Sequence, residues 1–175
     1  GVMPPELFIE GDQAFFEQGL DRTAAVIHGR NSQEQHPHSA QRLRLIATHG
    51  VETLAPHPEN TKALLWNPAT TPFDDGLRAL GVTGGPIGII GGTGIFGMFL
   101  PRYDVFHLSQ AGLVHLPGGR PVFPQAPAET PAAILQRHGL RPHGARLRLG
   151  IDAGAHAPID ETRRDRVDPD PELAQ

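Results

Sequence analysis

Cysteine is absent from this sequence of 175 residues, and lysine, tryptophan and tyrosine each occur only once. Without cysteine the chain can form no disulfide, no thiolate nucleophile and no cysteine-ligated zinc or iron–sulfur site. Its stability must therefore come from an apolar core, and this length predicts one domain. A long hydrophobic run is also absent, because the longest one, residues 87–100, is interrupted by five glycines. We expect a cytoplasmic protein with no membrane partner.

Positive charge is scarce and scattered. The chain has 15 Lys and Arg residues against 19 Asp and Glu residues, which gives a net charge of −4 at pH 7. No basic stripe of the kind that neutralises a phosphate backbone is visible, so nucleic acid is not an expected partner. We expect a small-molecule partner, and both a monomer and a homodimer remain open.

Ten histidines raise the question of a metal site. The closest pair, His36 and His38, lies in a polar segment that contains proline, and no third ligand follows at a metal-binding spacing. The pattern therefore favours a solvated loop, and we expect no metal.

Glycine and proline are abundant, with 21 and 18 residues, and they separate short apolar segments. The alternation of strand-like and helix-like segments predicts an α/β fold with a largely parallel sheet. Helices are predicted at residues 11–19, 73–80, 95–100 and 131–138, and strands at residues 24–28, 43–48, 62–66, 87–90 and 105–109. A last strand is poorly defined between residues 147 and 164. The predicted domain covers residues 1–164, and the acidic segment 165–175 is expected to be a disordered tail.

The strongest local signal is Gly91-Gly92-Thr93-Gly94, which follows a buried strand and precedes a helix. Such a turn exposes backbone amides at the positive end of a helix dipole, where a phosphate is favoured. A tight turn without a ligand is the plain alternative. Gly92 to Gly97 also fits the spacing G-x-G-x-x-G of Rossmann dinucleotide sites, but Pro101 stops the helix early and residues 113–116 offer no acid.

A second strand that stops at a glycine precedes Arg30 and Ser32. An arginine after a strand end can pair bidentately with a phosphate while a hydroxyl donates a second bond. A solvated arginine in a loop would look the same. Gly29, Arg30 and Ser32 therefore support a phosphate site only in combination with the glycine turn.

The order of these segments resembles that of bacterial dihydrofolate reductases and of the reductase domains of riboflavin biosynthesis. The resemblance covers about residues 10–124 and is most specific at Gly29-Arg30-Asn31-Ser32 and at Ile90 to Phe96 followed by Leu100-Pro101. Gly118 to Pro124 and His138 to Pro142 resemble further segments of this wider group. The resemblance implies one dihydrofolate reductase-like domain with a mixed, mostly parallel central sheet flanked by helices. The family begins with a central strand and a flexible loop, and by the resemblance this sequence starts just after them. We therefore expect either a shortened chain or a different segment in the position of that strand.

The resemblance implies NADPH as the cofactor. Gly91 and Gly92 would form the tight, often cis, pair beside the nicotinamide. Arg30 and Thr48 would lie near the 2′-phosphate that separates NADPH from NADH. The residues that would contact the cofactor in this way are Gly29, Arg30, Ser32, Thr48, Gly91, Gly92, Thr93, Gly94, Ile95 and Phe96, those from Thr93 to Phe96 through backbone amides on the pyrophosphate.

The resemblance also implies a substrate site. Asp12 falls on the buried acid that binds the substrate ring and promotes protonation, although an Asp before an apolar helix is often only its N-cap. Ser109 would support this acid, and Arg42, with Arg44 as a neighbour that could replace it, falls on the arginine that grips the carboxylate of folate. Phe96 stands where Tyr is more usual and Arg120 where Asp is common, which puts folate itself in doubt.

The sequence thus favours an NADPH-dependent reductase of a pterin-like substrate such as dihydrofolate, or of an aminopyrimidine-ribose. Two alternatives remain open at this point. One is a catalytically silent relative that binds nucleotide without turnover, and the other is a Rossmann-type NAD(P) dehydrogenase.

Overall fold

The computed structural model describes residues 9–32, 38–110, 117–144, 147–149 and 157–164. Its helices are α1 (Glu10–Asp21), α2 (Phe73–Ala79), α3 (Thr93–Phe99) and α4 (Pro131–Arg137). Its strands are β1 (Ala25–Gly29), β2 (Arg44–Ala47), β3 (Leu54–Pro56), β4 (Ala63–Trp66), β5 (Ile87–Ile89), β6 (Val105–Ser109), β7 (Leu140–Pro142), β8 (Leu147–Leu149) and β9 (Ala157–Arg164). In the described part, no helix is long and apolar enough to cross a membrane.

The first sheet contains five strands in the order β3-β4-β2-β1-β5. All neighbours in it are parallel except β3 and β4, so the prediction of a mixed, mostly parallel sheet is confirmed. All four residues of β2 and the first four of β1 are buried. This burial explains why both strands read as continuous apolar runs rather than as alternating patterns.

A second sheet is antiparallel and is built around β9, which pairs with β6, β7 and β8. The sequence defined β9 poorly because its apolar residues do not alternate and charged residues fill its middle. One buried position of β9 is polar, because the hydroxyl of Thr162 donates to the carbonyl of Phe106 at 3.2 Å. The polar residue thus sits inside the sheet with a hydrogen bond.

Helix α1 packs against both sheets. Leu20 lies over β5, where a Cβ added at Gly88 would stand 3.1 Å from its Cδ2 atom. Near the middle of the helix, the ring of Phe15 meets that of His107 on β6 edge-on, with the centroids 5.2 Å apart. Among the described residues no strand lies between β5 and β6. Residues 1–8 lie outside the described part, so the lack of a central N-terminal strand remains an expectation.

One apolar core joins the two sheets. Phe106 of β6 lies 5.3 Å from Phe123 and 5.9 Å from Phe96 of α3, measured between ring centroids. The same core contains Ile27, Leu45 and Trp66 of the first sheet, together with Leu135 and Leu140. Each such side chain stabilises the fold by about 1.5–3 kcal/mol when fully buried. The core therefore fixes the position of α3 relative to the strands.

Several element boundaries differ from the prediction. Helix α1 begins at Glu10 with Ile9 as its N-cap, and that end makes no side-chain cap hydrogen bond. The interpretation of Asp12 as an N-cap is therefore wrong. The strands β3 and β7 were missed because each has three residues and ends in proline, which lowers strand propensity. The predicted tail, 165–175, lies outside the described residues.

Candidate functional site

The two segments predicted to contact phosphate lie side by side. β1 and β5 are parallel neighbours, with Ile27 opposite Ile89. The amide of Ile90 donates to the carbonyl of Ile27 at 3.0 Å, and the amide of Gly29 donates to the carbonyl of Gly91 at 2.7 Å. Both strands therefore end at the same edge of the sheet, where ligands of open α/β sheets bind.

The turn after β5 is built on two glycines. The Gly91–Gly92 peptide is cis, which is the geometry that the resemblance implies for this pair. Gly91 has a φ of +111°, and a Cβ there would stand 3.0 Å from the ring of Phe96. A Cβ at Gly92 would stand 2.9 Å from the Ser32 hydroxyl. Glycine is thus required at Gly91 by its conformation, and at Gly92 it permits the close approach of the β1 loop.

Helix α3 begins directly after this turn, with Gly92 as its N-cap and no side-chain cap hydrogen bond. By helix geometry, the amides of Thr93, Gly94 and Ile95 have no partner inside the helix. A Cβ added at Gly94 would meet no atom within 4 Å, so the turn faces open space there. The amide of Phe96 instead donates to the carbonyl of Gly92 at 2.9 Å. It therefore belongs to the helix ladder rather than to the predicted phosphate donors.

The side chains at the start of α3 are engaged with the protein. The Thr93 hydroxyl donates to the carbonyl of Pro121. Ile95 is buried in the core, and the carbonyl of Phe96 accepts a bond of 3.2 Å from the Tyr103 hydroxyl, whose pKa is raised by burial. These contacts hold the helix in place, so its exposed backbone is the part that can meet a ligand.

Arg30 and Ser32 follow β1 in a turn that faces the end of β2. The amide of Arg30 donates to the carbonyl of Ala47 at 3.2 Å, and its side chain is exposed. Thr48 directly follows β2, and its Oγ1 atom accepts from the amide of Gly50 at 3.0 Å. A guanidinium and two hydroxyls are therefore carried by the same sheet edge as the glycine turn.

Asp12 is the third residue of α1 and is half-buried. It shares a helix face with Phe15, three residues on, and Phe15 contacts His107 of β6. His107 and Ser109 lie on the same side of β6 because side chains alternate along a strand. Asp12 and Ser109 therefore lie on the same faces of α1 and β6 as the contacting pair Phe15 and His107.

Arg42 and Arg44 have different partners. The guanidinium of Arg42 donates to the carboxylate of Asp21, the last residue of α1. Arg44 is buried at the start of β2, and its Nε and Nη2 atoms donate to the carbonyl of Ser39 at 3.0 and 2.9 Å. Burial and the nearby Arg42 lower the pKa of Arg44. Arg44 therefore supports the 3-10 turn Ser39–Gln41, and Arg42 remains the candidate for substrate contact.

One buried titratable group was missed by the sequence reasoning. His28 is 2% exposed within β1, and its Nδ1 atom donates to the carbonyl of Gly29 at 3.0 Å. Its Nε2 atom has no hydrogen-bond partner among the described residues. Burial lowers the pKa of His28 and the charge of Arg44 lowers it further, although the bond to Gly29 raises it. A histidine inside an apolar run was the signal that could have found it.

Of the two histidines considered as a metal site, only His38 lies in the described part of the chain. His36 lies outside the described residues, whereas His38 is exposed beside Asp21, with its Nδ1 atom 3.9 Å from the carboxylate. In the part of the chain that the structure describes, no three His, Asp or Glu side chains form a group that could hold a metal ion.

No protein-family model matches the sequence, and no curated protein matches it by sequence. Among solved structures, the fold is similar to that of dihydrofolate reductase from Enterococcus faecalis, complexed with NADP(H) and RAB-propyl. The superposition covers 94% of this chain and 90% of that chain, with a TM-score of 0.60 and 17% sequence identity. At this identity the likeness concerns the arrangement of the backbone.

Proposed function

We propose that this chain, which has a dihydrofolate reductase-like fold, is an NADPH-dependent reductase of a pterin-like or aminopyrimidine-ribose substrate. The observation that carries the proposal is the hydrogen bond from Gly29 to Gly91. It joins the loop that bears Arg30 and Ser32 to the glycine turn before α3. In the sequence, these two segments supported a phosphate site only in combination. The hydrogen bond joins them into one candidate site.

The residues at this edge fit a dinucleotide with phosphate groups. The amides at the start of α3 and the exposed guanidinium of Arg30 can each donate to phosphate oxygens. A charge-assisted bond of this kind contributes about 1.5–3 kcal/mol. The turn at Gly91 and Gly92 carries no side chains of its own, and we propose that the flat ring of a nicotinamide lies against its backbone. The structure of dihydrofolate reductase from Enterococcus faecalis contains NADP(H), which agrees with this choice of nucleotide.

The substrate is proposed to bind between α1 and β6. NADPH would supply the hydride, and this chain would bind the ring and assist its protonation. Asp12 is the candidate for that role, because a half-buried carboxylate can hydrogen-bond the amino group and ring nitrogen of a pterin or aminopyrimidine. Ser109 would support it from the end of β6. Both proposed substrates are small molecules, one used in folate metabolism and the other in riboflavin biosynthesis.

The direct test follows the loss of NADPH absorbance in the presence of dihydrofolate or of the aminopyrimidine-ribose. Substrate-dependent oxidation of NADPH is expected with one of the two. Binding of NADPH without oxidation by either would favour the silent relative. If neither NADPH nor NADH binds, the proposal is wrong. The Rossmann alternative has lost its support, because the fold is of another type and α3 has only seven residues.

A further inference from the structure

A cavity of about 300 Å³ lies at the C-terminal end of α1, away from the glycine turn. Its lining includes the aliphatic side chains of Leu20, Ala24 and Leu43. It also includes polar or charged side chains, which are Asp21, Thr23, His38, Gln41 and Arg42. The aliphatic part can cover a flat apolar group of a ligand, whereas the charged part determines which polar group at the end of that ligand can bind. Which polar group this is depends on the partners of Arg42.

Arg42 is already paired with a carboxylate of the same chain. Its Nη2 atom donates to Oδ1 of Asp21, 21 residues earlier in the chain. The Arg42 side chain is only 9% exposed, whereas that of Asp21 is 49% exposed. The hydrogen bond and the charge of Arg42 lower the pKa of Asp21, and His38 contributes in the same direction. Asp21 is therefore a carboxylate at neutral pH and faces the solvent side of the pair.

A ligand that approaches Arg42 meets this carboxylate. A carboxylate on the ligand would have to displace Asp21 or lie beside it, where two like charges repel each other. An uncharged end avoids this repulsion, and it can still accept a hydrogen bond from the guanidinium or donate one to Asp21. Selection of this kind works through a repulsive group as much as through an attractive one.

We propose that the far end of the substrate lies in this cavity, and that Asp21 is a specificity-determining residue that makes the cavity select substrates whose far end carries no carboxylate. The proposal rests on the reductase function proposed above and narrows its substrate class. It reverses the role that the resemblance implied for Arg42, because the guanidinium is paired with Asp21 of the same chain and is not reserved for the carboxylate of folate. A pterin or aminopyrimidine with a neutral end is the class of substrate that fits.

The test compares two ligands that differ only in this feature, dihydrofolate and its diamide, in which both glutamate carboxylates are amides. Their dissociation constants are measured calorimetrically without nucleotide for the wild type, Asp21→Asn and Asp21→Ala. Asp75→Asn is the matched control, since Asp75 forms an exposed ion pair with Arg78 at 2.8 Å on the distant helix α2. Thermal melting shows whether each variant is folded.

The wild type is expected to bind the diamide at least as tightly as dihydrofolate. In both Asp21 variants the affinity for dihydrofolate should rise by about tenfold, because a charge-assisted bond to Arg42 becomes available. The affinity for the diamide should change by less than about twofold, and Asp75→Asn should change neither affinity.

Three results would overturn the proposal. They are a wild type that prefers dihydrofolate by tenfold or more, Asp21 variants with an unchanged ratio of the two affinities, and no binding of either ligand by any variant. A separate NADPH titration reads out the proposed reductase function. Because the cavity is tested without nucleotide, failure of NADPH binding and failure of the specificity proposal are distinguished.

Discussion

The amide of Gly29 donates a hydrogen bond of 2.7 Å to the carbonyl of Gly91. This bond extends the pairing of β1 and β5 beyond the last residue of β5, into the glycine turn. Arg30 is the next residue along the chain after Gly29, and Gly92 is the N-cap of α3. The position of the cation relative to the helix start is thus set by backbone bonds, so changes at Arg30 and Gly92 can be expected to affect ligand binding more than folding.

Arg30→Ala is expected to weaken NADPH binding by about tenfold and to leave NADH binding nearly unchanged. The reason is that an exposed guanidinium beside the end of β2 can pair with the 2′-phosphate, which only NADPH carries. For the wild type we expect NADH to bind at least about tenfold more weakly than NADPH. Titration of both nucleotides measures this, with Arg78→Ala on α2 as the control. Equal affinities in the wild type would remove Arg30 from the proposed site.

Gly92→Ala is expected to abolish nucleotide binding while the fold is kept. The added methyl group would stand 2.9 Å from the Ser32 hydroxyl, so the loop that carries Arg30 must shift away from the turn. The clash involves the end of a short side chain, and it can therefore be relieved without unfolding. Circular dichroism and NADPH titration separate the two effects.

Gly19→Ala is the control for this substitution. Gly19 lies within α1, and a Cβ there would meet no atom within 4 Å. Alanine should therefore stabilise the helix by up to about 1 kcal/mol and leave nucleotide binding unchanged. Tight NADPH binding by Gly92→Ala would remove the glycine turn from the site.

The sequence predicted the local features well because they depend on neighbouring residues. The parallel strands were visible as apolar runs, and the turn at Gly91 was visible because glycine permits a positive φ that other residues avoid. The resemblance implied the cis geometry of this pair. Which strand lies beside which was less accessible, since β1 and β5 are far apart in the chain and their contact depends on the crossover between them.

Contacts between distant side chains could not be predicted. The pairing of Arg42 with Asp21 requires α1 to extend to residue 21, whereas the sequence predicted its end at residue 19. The second sheet was missed for a similar reason. Strand β9 acquires its structure from pairing with three partners, and its own pattern of charged residues gives little indication of a strand.

Acidification is expected to destabilise the fold through His28. Its pKa is lowered below the ordinary value of 6.5, first by burial and then by the charge of Arg44. The unfolded chain therefore takes up a proton that the folded chain resists. The contribution of neutral His28 is fully present above about pH 6.5 and is lost as the pH falls from there toward the folded pKa.

His28→Leu should flatten this part of the pH dependence, because it removes the titrating group. Urea unfolding at several pH values below and above neutrality measures the slope of the unfolding free energy. His49→Leu, at an exposed position, controls for the loss of a histidine. An unchanged slope in His28→Leu would show that other groups cause the acid sensitivity.

Asp12→Asn is expected to lower turnover by roughly 10²–10⁴-fold, the range usual for loss of a group that takes part in proton transfer. The affinity for NADPH should stay the same, because Asp12 lies on α1, which contacts β6 through Phe15 and is separate from the glycine turn. Asp12 is not the N-cap of its helix, so the substitution removes no cap and costs only the favourable interaction of its charge with the helix dipole, about 0.3–1 kcal/mol. Steady-state kinetics with the accepted substrate measures turnover, NADPH titration measures the affinity for the nucleotide, and thermal melting measures stability. Normal turnover in Asp12→Asn would leave the carboxylate a structural role at the start of α1, and the proton would then have to come from another group between α1 and β6.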